Sequence, residues 1–278
     1  MPTPSEPAQV SQPSAGPSCA VTPERAQDDA LARAFLWDHL ALGLQTPTPA
    51  TRERLTADPS RRMLTAAADR LGAQNDLLGL AAAAARLATH PIGSLEEQRS
   101  RYDALFGHTA RGPVCCFETE YGTEGLFRQT QELAHIGGYY AAFGLRPRAV
   151  IADRADHVAC ECEYVGFLSR KEAFQLSEAG ADEDQLQTTR GAYVSFFRDH
   201  LGRFGTAVGT RLKIADPEGF FGALASLLLA LLDTEARRLG VPLGPATLDL
   251  CAPEEDSTPM ACGTCDVAGL APSGDAGR

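Results

Sequence analysis

Hydrophobic residues recur every three or four positions through most of the stretch from residue 22 to residue 240, which is the spacing of helices with one buried face. The predicted helix starts carry a capping residue, often with a proline after it: Thr22-Pro23, Asp58-Pro59, Asn75, Ser94-Leu95-Glu96-Glu97, Thr123 and Asp216-Pro217. Gly144 and Gly240 stand where helices should end. No alternating strand pattern of useful length is present. The sequence therefore predicts an all-α fold, a single globular bundle of roughly ten helices.

The second half of the chain contains a long irregular connection, from residue 107 to residue 122, and connections of this length inside compact domains are often functional. We predict these helices after residue 150: one capped by Asp153 or Asp156, a short charged one from Ser169 to about Glu178, and a long one from about Gln185 to Lys213. Gly202, Gly205 and Gly209 within the long helix predict close packing against a neighbouring helix.

Both ends of the chain differ in composition from the middle. Residues 1–21 are rich in Pro, Ser and Gln and nearly lack large apolar side chains. Such a segment cannot bury enough surface to offset the entropy of ordering, so we predict a disordered N-terminal tail. Residues 245–278 are rich in Pro, Gly, Asp and Cys, which predicts a flexible, cysteine-containing C-terminal tail. Residues 22–244 remain as one helical domain.

The chain is acidic, with a formal net charge of −11 and a pI near 5.0. Such a surface argues against nucleic acid and anionic membrane as partners, and it suits a basic peptide. The longest apolar stretch, from Phe220 to Leu232, is too short to span a bilayer. The N-terminus has no basic residue before Arg25 and no apolar run, so we expect a cytoplasmic protein without membrane insertion.

The eight cysteines are scattered and lack the spacing of a disulfide framework. Cys262 and Cys265 form one C-x-x-C pair, and Cys251 could supply a third zinc ligand. A single pair is a weak metal or redox signal, and the alternative is a flexible tail with thiols. The sequence has no phosphate-binding glycine loop, no dinucleotide fingerprint and no Gly-x-Ser-x-Gly elbow.

Two acid–histidine pairs are the main candidates for chemistry. Asp156-His157 begins a helical stretch in which His157 and Glu161 share a face, so the pair could receive a polar or cationic partner. The alternative is a charged helix start with a capping acid and a hydrogen-bonded histidine. Asp199-His200 repeats the pair on the long helix, where a buried, hydrogen-bonded histidine is the alternative to a ligand-binding one.

The long connection carries Glu118, Glu120 and Tyr121. These residues predict either an acidic rim that receives arginines through charge-assisted hydrogen bonds or a solvated acidic loop. Tyr139 and Tyr140, on the next predicted helix, are expected in the core or in the wall of a groove.

Four blocks follow one another along the chain: Phe117-Glu118-Thr119-Glu120-Tyr121-Gly122, Ala134 to Leu145, Asp156 to Leu168, and Tyr193 to Phe204. In this order and at this spacing they resemble the TorD/DmsD/NarJ-like family of cytoplasmic chaperones, which assist the assembly of molybdenum oxidoreductases. The resemblance covers roughly residues 30 to 240. The Glu-Tyr-Gly block is most similar to the branch that serves type II enzymes of the dimethyl sulfoxide reductase family. Phe204 stands where the family pattern usually has tryptophan.

The resemblance implies a TorD-like chaperone without enzymatic activity. It would bind the apo catalytic subunit of a molybdenum oxidoreductase and its N-terminal twin-arginine-type signal segment, aid cofactor insertion and prevent premature export. No cofactor of its own is implied beyond transient contact with the molybdenum cofactor, and the protein would be a monomer or a helix-swapped dimer. The implied client-binding residues are Asp156, His157, Glu161, Glu118, Tyr121, Tyr140, Asp199 and His200.

Two other classes of function remain open at the level of the sequence. One is a metal-binding or redox protein that uses Cys251, Cys262 and Cys265. The other is a small-molecule enzyme that uses the Asp156-His157 and Asp199-His200 pairs. The sequence does not identify the client enzyme or its substrate.

Overall fold

The computed structural model describes residues 22–73, 79–107, 112–122, 126–146, 154–177 and 182–251. Within these ranges the chain forms ten α-helices: α1 (Pro23–Leu44), α2 (Pro49–Thr56), α3 (Asp58–Gly72), α4 (Leu80–Thr89), α5 (Leu95–Phe106), α6 (Leu126–Ala142), α7 (Val158–Ser177), α8 (Glu183–Phe196), α9 (Gly202–Ala215) and α10 (Phe220–Leu239). A 3₁₀ turn covers Glu118–Glu120, and a π-helical segment, Phe197–Leu201, joins α8 to α9. No strand forms in the described ranges, and the all-α prediction is confirmed.

The bundle is organised around the contact between α1 and α7, which is the most extensive contact between two elements. Helix α10 packs against α9 and α4, and α3 packs against α1 and α4. The largest fully buried side chains are aromatic: Trp37, Phe196, Phe197, Phe204 and Phe221. Because α7 contacts α1 on one side and α8 on another, more than half of its residues are buried.

The glycines of α9 confirm the prediction of close packing. A Cβ atom added to Gly205 would lie 3.1 Å from Leu232, and one added to Gly209 would lie 2.9 Å from Leu229. Both leucines belong to α10. The missing side chains therefore allow α9 and α10 to approach each other closely.

Several predicted caps form as local chemistry dictates. Thr22 accepts a hydrogen bond from the amide of Arg25, and Ser94 and Glu97 form a reciprocal capping box. Asp216 accepts from the amide of Phe221 at the start of α10. Gly144 and Gly240 adopt positive φ angles of 71° and 66° at helix ends, as glycine allows.

Three boundary predictions were wrong. The sequence analysis missed α2, which is held at its start by a capping box between Thr48 and Thr51. Helix α4 begins at Leu80, after Gly79 at a φ of 71°, and the predicted cap Asn75 lies outside the described residues. The separate helix predicted from Ser169 does not form, because α7 continues without a break to Ser177.

The chain after α10 returns to the core. Leu248 and Leu250 pack against it, and Leu250 forms an antiparallel bridge with Tyr121. The amide of Cys251 donates to the carbonyl of Glu120 at 2.8 Å. Residues 245–251, which the sequence analysis assigned to a flexible tail, thus contact the helical domain. The rest of both predicted tails lies outside the described residues.

Candidate functional site

The long connection is attached to the start of α7 by backbone hydrogen bonds. The amide of Glu118 donates to the carbonyl of Asp156 at 2.9 Å, and the amide of Val158 donates to the carbonyl of Cys116 at 2.8 Å. Between them, Phe117 and His157 form an antiparallel bridge. The Glu-Tyr-Gly block and the acid–histidine pair, separate in sequence, therefore form one unit.

Asp156 is fully buried, and its carboxylate is held by its own chain. It accepts from the Thr119 amide and hydroxyl at 3.1 and 2.8 Å and from Arg154 at 3.0 and 2.8 Å. Arg154 also pairs with Glu120 at 2.7 Å. Asp156 does not cap α7 as predicted, because its oxygens bind the 3₁₀ turn and Arg154 instead. Its cationic partner is Arg154, which the sequence analysis did not identify.

His157 takes the capping role at α7. Its Nδ1 accepts from the amide of Ala159 at 3.1 Å, and its ring meets that of Phe117 edge-on, with centroids 5.2 Å apart. Burial lowers the pKa of His157 to about 4; Asp156 opposes this effect and Arg154 adds to it. The imidazole is therefore neutral at pH 7.

A second buried network connects the long connection to α6 and to the π-helical segment. Glu118 is fully buried and accepts from Arg203 at 2.7 Å, and its other oxygen lies 3.0 Å from His200 Nδ1. His200 Nε2 lies 3.0 Å from His135 Nδ1, and Arg203 also pairs with Glu132 at 3.0 Å. The solvated loop considered for Glu118 is wrong, because its side chain is fully buried, and the arginine it receives is Arg203 of its own chain.

Glu161 lies beside this network on α7 and is fully buried. Neither oxygen of its carboxyl meets a hydrogen-bond donor in the described part of the chain. Burial raises its pKa well above the usual 4.5, and the charge of Glu118 raises it further. Both effects favour the protonated form of Glu161, which can donate its proton towards Glu118.

The members of the second acid–histidine pair both lie on the π-helical segment but differ in environment. His200 is buried and faces Glu118, whereas the Asp199 side chain is 36% exposed and pairs with Arg198 at 2.7 Å. The hydrogen bond from Arg198 lowers the pKa of Asp199. The extra residue of a π-turn re-aims the side chains that follow, and such turns are frequent at functional sites.

The two tyrosines assigned to the site serve mainly as hydrogen-bond donors inside the fold. Tyr121 donates to the carbonyl of Cys115 at 2.7 Å, and its ring lies 5.9 Å from that of Phe204. Tyr140 donates to the carbonyl of Ala155 at 2.8 Å, and burial raises the pKa of its hydroxyl well above the usual 10.0. Tyr140 also lines a surface groove, which links the buried networks to the outside.

This groove, the α7 groove, has a volume of about 550 Å³. It lies between helices α7 and α2 and the C-terminal ends of α1 and α6. The lining residues are Leu42, Gln45, Thr46, Thr48, Ala50, Thr51, Arg54, Tyr140, Leu145, Arg146, Cys160, Glu163, Tyr164, Phe167 and Arg170. Tyr140, Tyr164 and Phe167 give it an aromatic floor. The sequence analysis missed the groove because it missed α2, which contributes one wall.

The described part of the chain does not support a metal centre. In the described ranges, no group of three or more His, Cys, Asp or Glu side chains is placed to hold a metal ion. Cys251 lies with its sulfur 3.8 Å from the carbonyl oxygen of Thr119. Cys262 and Cys265 lie outside the described residues. None of the helices in the described part of the chain is long and apolar enough to cross a membrane.

Comparison with known proteins gave one finding. The family model described as nitrate reductase delta subunit matches residues 66–208, just over half of the chain. The matched region contains the long connection, α6, α7 and the π-helical segment, and thus both buried networks. Searches of curated proteins and of solved structures gave no match.

Proposed function

The chain belongs to the nitrate reductase delta subunit family, whose members are maturation chaperones of molybdoenzymes, and from this we propose that it binds the apo catalytic subunit of a molybdenum oxidoreductase. The bound part would be an N-terminal segment of the client, of the twin-arginine signal type where the client is exported. Binding in the cytosol would keep the subunit accessible for cofactor insertion and would prevent premature export.

The observation that carries this proposal is the α7 groove. Phe167 is half-buried and offers apolar surface to a peptide, Tyr140 and Tyr164 line the groove with only their edges exposed, and the polar edges of the groove can orient a peptide. Phe174, two turns after Phe167 on the same helix, is 65% exposed and extends the apolar surface. A large exposed aromatic side chain in line with an apolar groove is typical of an interaction site.

The buried networks have a supporting role in this proposal. Asp156, His157, Glu118, Glu161 and His200 are buried and do not line the groove, so they are not placed to touch a client in this conformation. They attach the long connection and the π-helical segment to α7, and Tyr140 transmits their position to the groove. We propose that Tyr140 contacts the client and that the other five are positioning residues.

The proposal can be tested by affinity capture with the full-length protein from the cytosol in which it occurs, followed by identification of the captured chain. We expect a molybdoenzyme catalytic subunit that lacks its cofactor. The variant Phe174→Ser should reduce the captured amount several-fold, because removal of a buried aromatic contact weakens an interface by roughly 1 kcal/mol or more.

Ile214→Ser is the matched control, since Ile214 is 74% exposed but lies on α9, whereas Phe174 lies on the same helix as the groove residues Phe167 and Arg170. It should capture as much client as the parent. Equal losses in both variants would show non-specific hydrophobic capture. A captured protein without a molybdenum site would refute the proposed function.

A further inference from the structure

The rim of the α7 groove is positively charged, although the chain as a whole carries a net charge of −11. Arg54 on α2, Arg146 after α6 and Arg170 on α7 line it, and Glu163 is the one acid among the lining residues. Arg170 is paired with Asp38. Arg54 and Arg146 are exposed, and neither forms an ion pair in the described part of the chain, although Arg54 lies near enough to Asp38 for its charge to act on that acid. Two arginines are therefore available to an incoming ligand.

The surface of α7 in and beside the groove has the length of a short helix. Cys160, Glu163, Phe167, Arg170 and Phe174 follow one another at intervals of three or four residues, so they share one face. Fourteen residue steps along a helix correspond to roughly 21 Å. An amphipathic helix of about fourteen residues would cover this face with its apolar side and bring its polar side to the rim.

We propose that the α7 groove binds an amphipathic client segment whose apolar face is flanked by carboxylates, which pair with Arg54 and Arg146. This inference rests on the proposed function and specifies which part of the client the groove takes. Arginines of a signal segment would be repelled by the rim, so they would lie outside the groove. Selection would come from both charge attraction at the rim and repulsion of basic segments.

The test uses the full-length protein and two fluorescein-labelled helical peptides of about fourteen residues with the same leucine and phenylalanine face. One peptide has glutamates on its polar face and the other has lysines. We expect the glutamate peptide to bind about threefold to tenfold more tightly in fluorescence anisotropy, because exposed ion pairs at a rim contribute modestly. Added salt should narrow the difference.

The double variant Arg54→Glu/Arg146→Glu should reverse the preference, while Arg62→Glu should leave it unchanged. Arg62 is an exposed arginine on α3 that does not line the groove, and it controls for net charge. Phe174→Ser should weaken both peptides, which reports use of the groove independently of charge. The melting temperature of each variant confirms that it is folded.

The outcomes separate this inference from the proposed function. If the lysine peptide binds as well as the glutamate peptide and both need Phe174, the charge selection is wrong and the chaperone proposal stands. If Phe174→Ser leaves the binding of both peptides unchanged, the face of α7 from Cys160 to Phe174 does not bind them and the inference is wrong. A dimer that the double variant dissociates would assign the groove to a second copy of the chain. If the peptides bind only after Glu254, Glu255 and Asp256 are changed to serine, the occupant is the chain's own C-terminal segment. Occupation of the groove by a second copy of the chain or by its own C-terminal segment would overturn the inference.

Discussion

Glu235 on α10 and Glu161 on α7 are both fully buried, yet the pKa values of their carboxyls move in opposite directions. Burial raises the pKa of any carboxyl because it penalises the charged form. At Glu235 this penalty is outweighed by Arg238 and Arg33, so the pKa is lowered. At Glu161 the penalty is joined by the negative charge of Glu118, so the pKa is raised. The arrangement of neighbouring charges, and not burial alone, determines which acid is ionised.

The surroundings of Glu235 are those of a structural ion pair. One of its oxygens accepts from Arg238 at 2.6 Å and from the Tyr193 hydroxyl at 2.8 Å. That hydroxyl in turn accepts from the indole of Trp37 at 2.9 Å. The network connects α1, α8 and α10 in the centre of the bundle, and none of its residues lines the α7 groove.

The surroundings of Glu161 contain several features that cost stability: a buried acid with a raised pKa, a neutral buried histidine and a π-helical segment. Such features are concentrated at functional sites, because selection for stability alone removes them. This region lies behind Tyr140, which forms part of the floor of the α7 groove. We infer that the Glu235 region maintains the fold and that the Glu161 region is the adjustable part next to the groove.

The largest effect should come from breaking the ion pair at Glu235. We expect Arg238→Met to lower the free energy of unfolding by roughly 3 kcal/mol in urea titrations, because it leaves a buried carboxylate without its main partner. Arg237→Met is the control, since Arg237 pairs with Asp233 on the partly exposed face of the same helix and should cost less than about 1 kcal/mol. Similar losses in both variants would show that Glu235 is not held by Arg238.

The second prediction concerns acid lability in the Glu161 region. The pKa of His157 is lowered from 6.5 to about 4 in the native state. Between these pH values the unfolded chain therefore binds a proton at this residue that the native chain does not bind. Stability contributed by neutral His157 is therefore lost as the pH falls from 6.5 towards 4. We expect the parent to lose on the order of 2 kcal/mol between pH 7.5 and 5 through this residue.

His157→Asn should remove that loss and keep the cap, because its side-chain oxygen can accept from the Ala159 amide. His157→Ala should also remove the loss but cost about 1 kcal/mol at pH 7.5 through the missing cap. Urea titrations at the two pH values measure both effects. A pH dependence in the asparagine variant as steep as that of the parent would contradict the assignment.

A smaller effect of the opposite sign is expected at Glu161. Its raised native pKa means that the native state keeps a proton that the unfolded chain loses above pH 4.5, so stability falls as the pH rises from there through the native pKa. Glu161→Gln cannot ionise and can still donate to Glu118. We expect it to match the parent near pH 4.5 and to be more stable than the parent at pH 8, because only the parent must keep or lose a buried proton that the unfolded chain has already released.

Glu235→Gln tests the same substitution in the other region, and there it should destabilise at pH 8. Its lowered native pKa contributes stability above pH 4.5 that the amide lacks. Thermal melts across this pH range would give both curves. A stabilising effect at both positions would mean that burial alone sets the two pKa values.

Sequence reasoning succeeded where the determining chemistry is local. The capping box at Ser94 and the chain reversal at Gly240 depend on residues within one turn, and both form as predicted. The glycines of α9 predicted close packing, although not that α10 would be the partner. The family resemblance identified the regions that come together around α7.

Sequence reasoning failed where the partner of a residue is distant in the sequence or where a helix lacks a hydrophobic pattern. Glu118 contacts His200 and Arg203, which are 82 and 85 residues away, and no spacing rule links them. The burial that neutralises His157 and Glu161 is a tertiary property, so both looked like polar contacts for a client. Helix α2 has a single buried residue, Leu55, and therefore almost no hydrophobic periodicity. Without α2, the groove was not predicted.

The smallest effect is expected at Asp199, which neighbours His200 in sequence but not in environment. Asp199 is exposed and pairs with Arg198, so Asp199→Asn should change the free energy of unfolding by less than about 0.5 kcal/mol. His200→Leu, in contrast, removes the imidazole next to Glu118 and His135 and should cost several times more. Client capture should follow the same order if the buried network positions the groove. If Asp199→Asn reduced capture more than His200→Leu did at equal stability, the exposed acid would be a direct client contact, and the supporting role assigned to the buried network would be wrong.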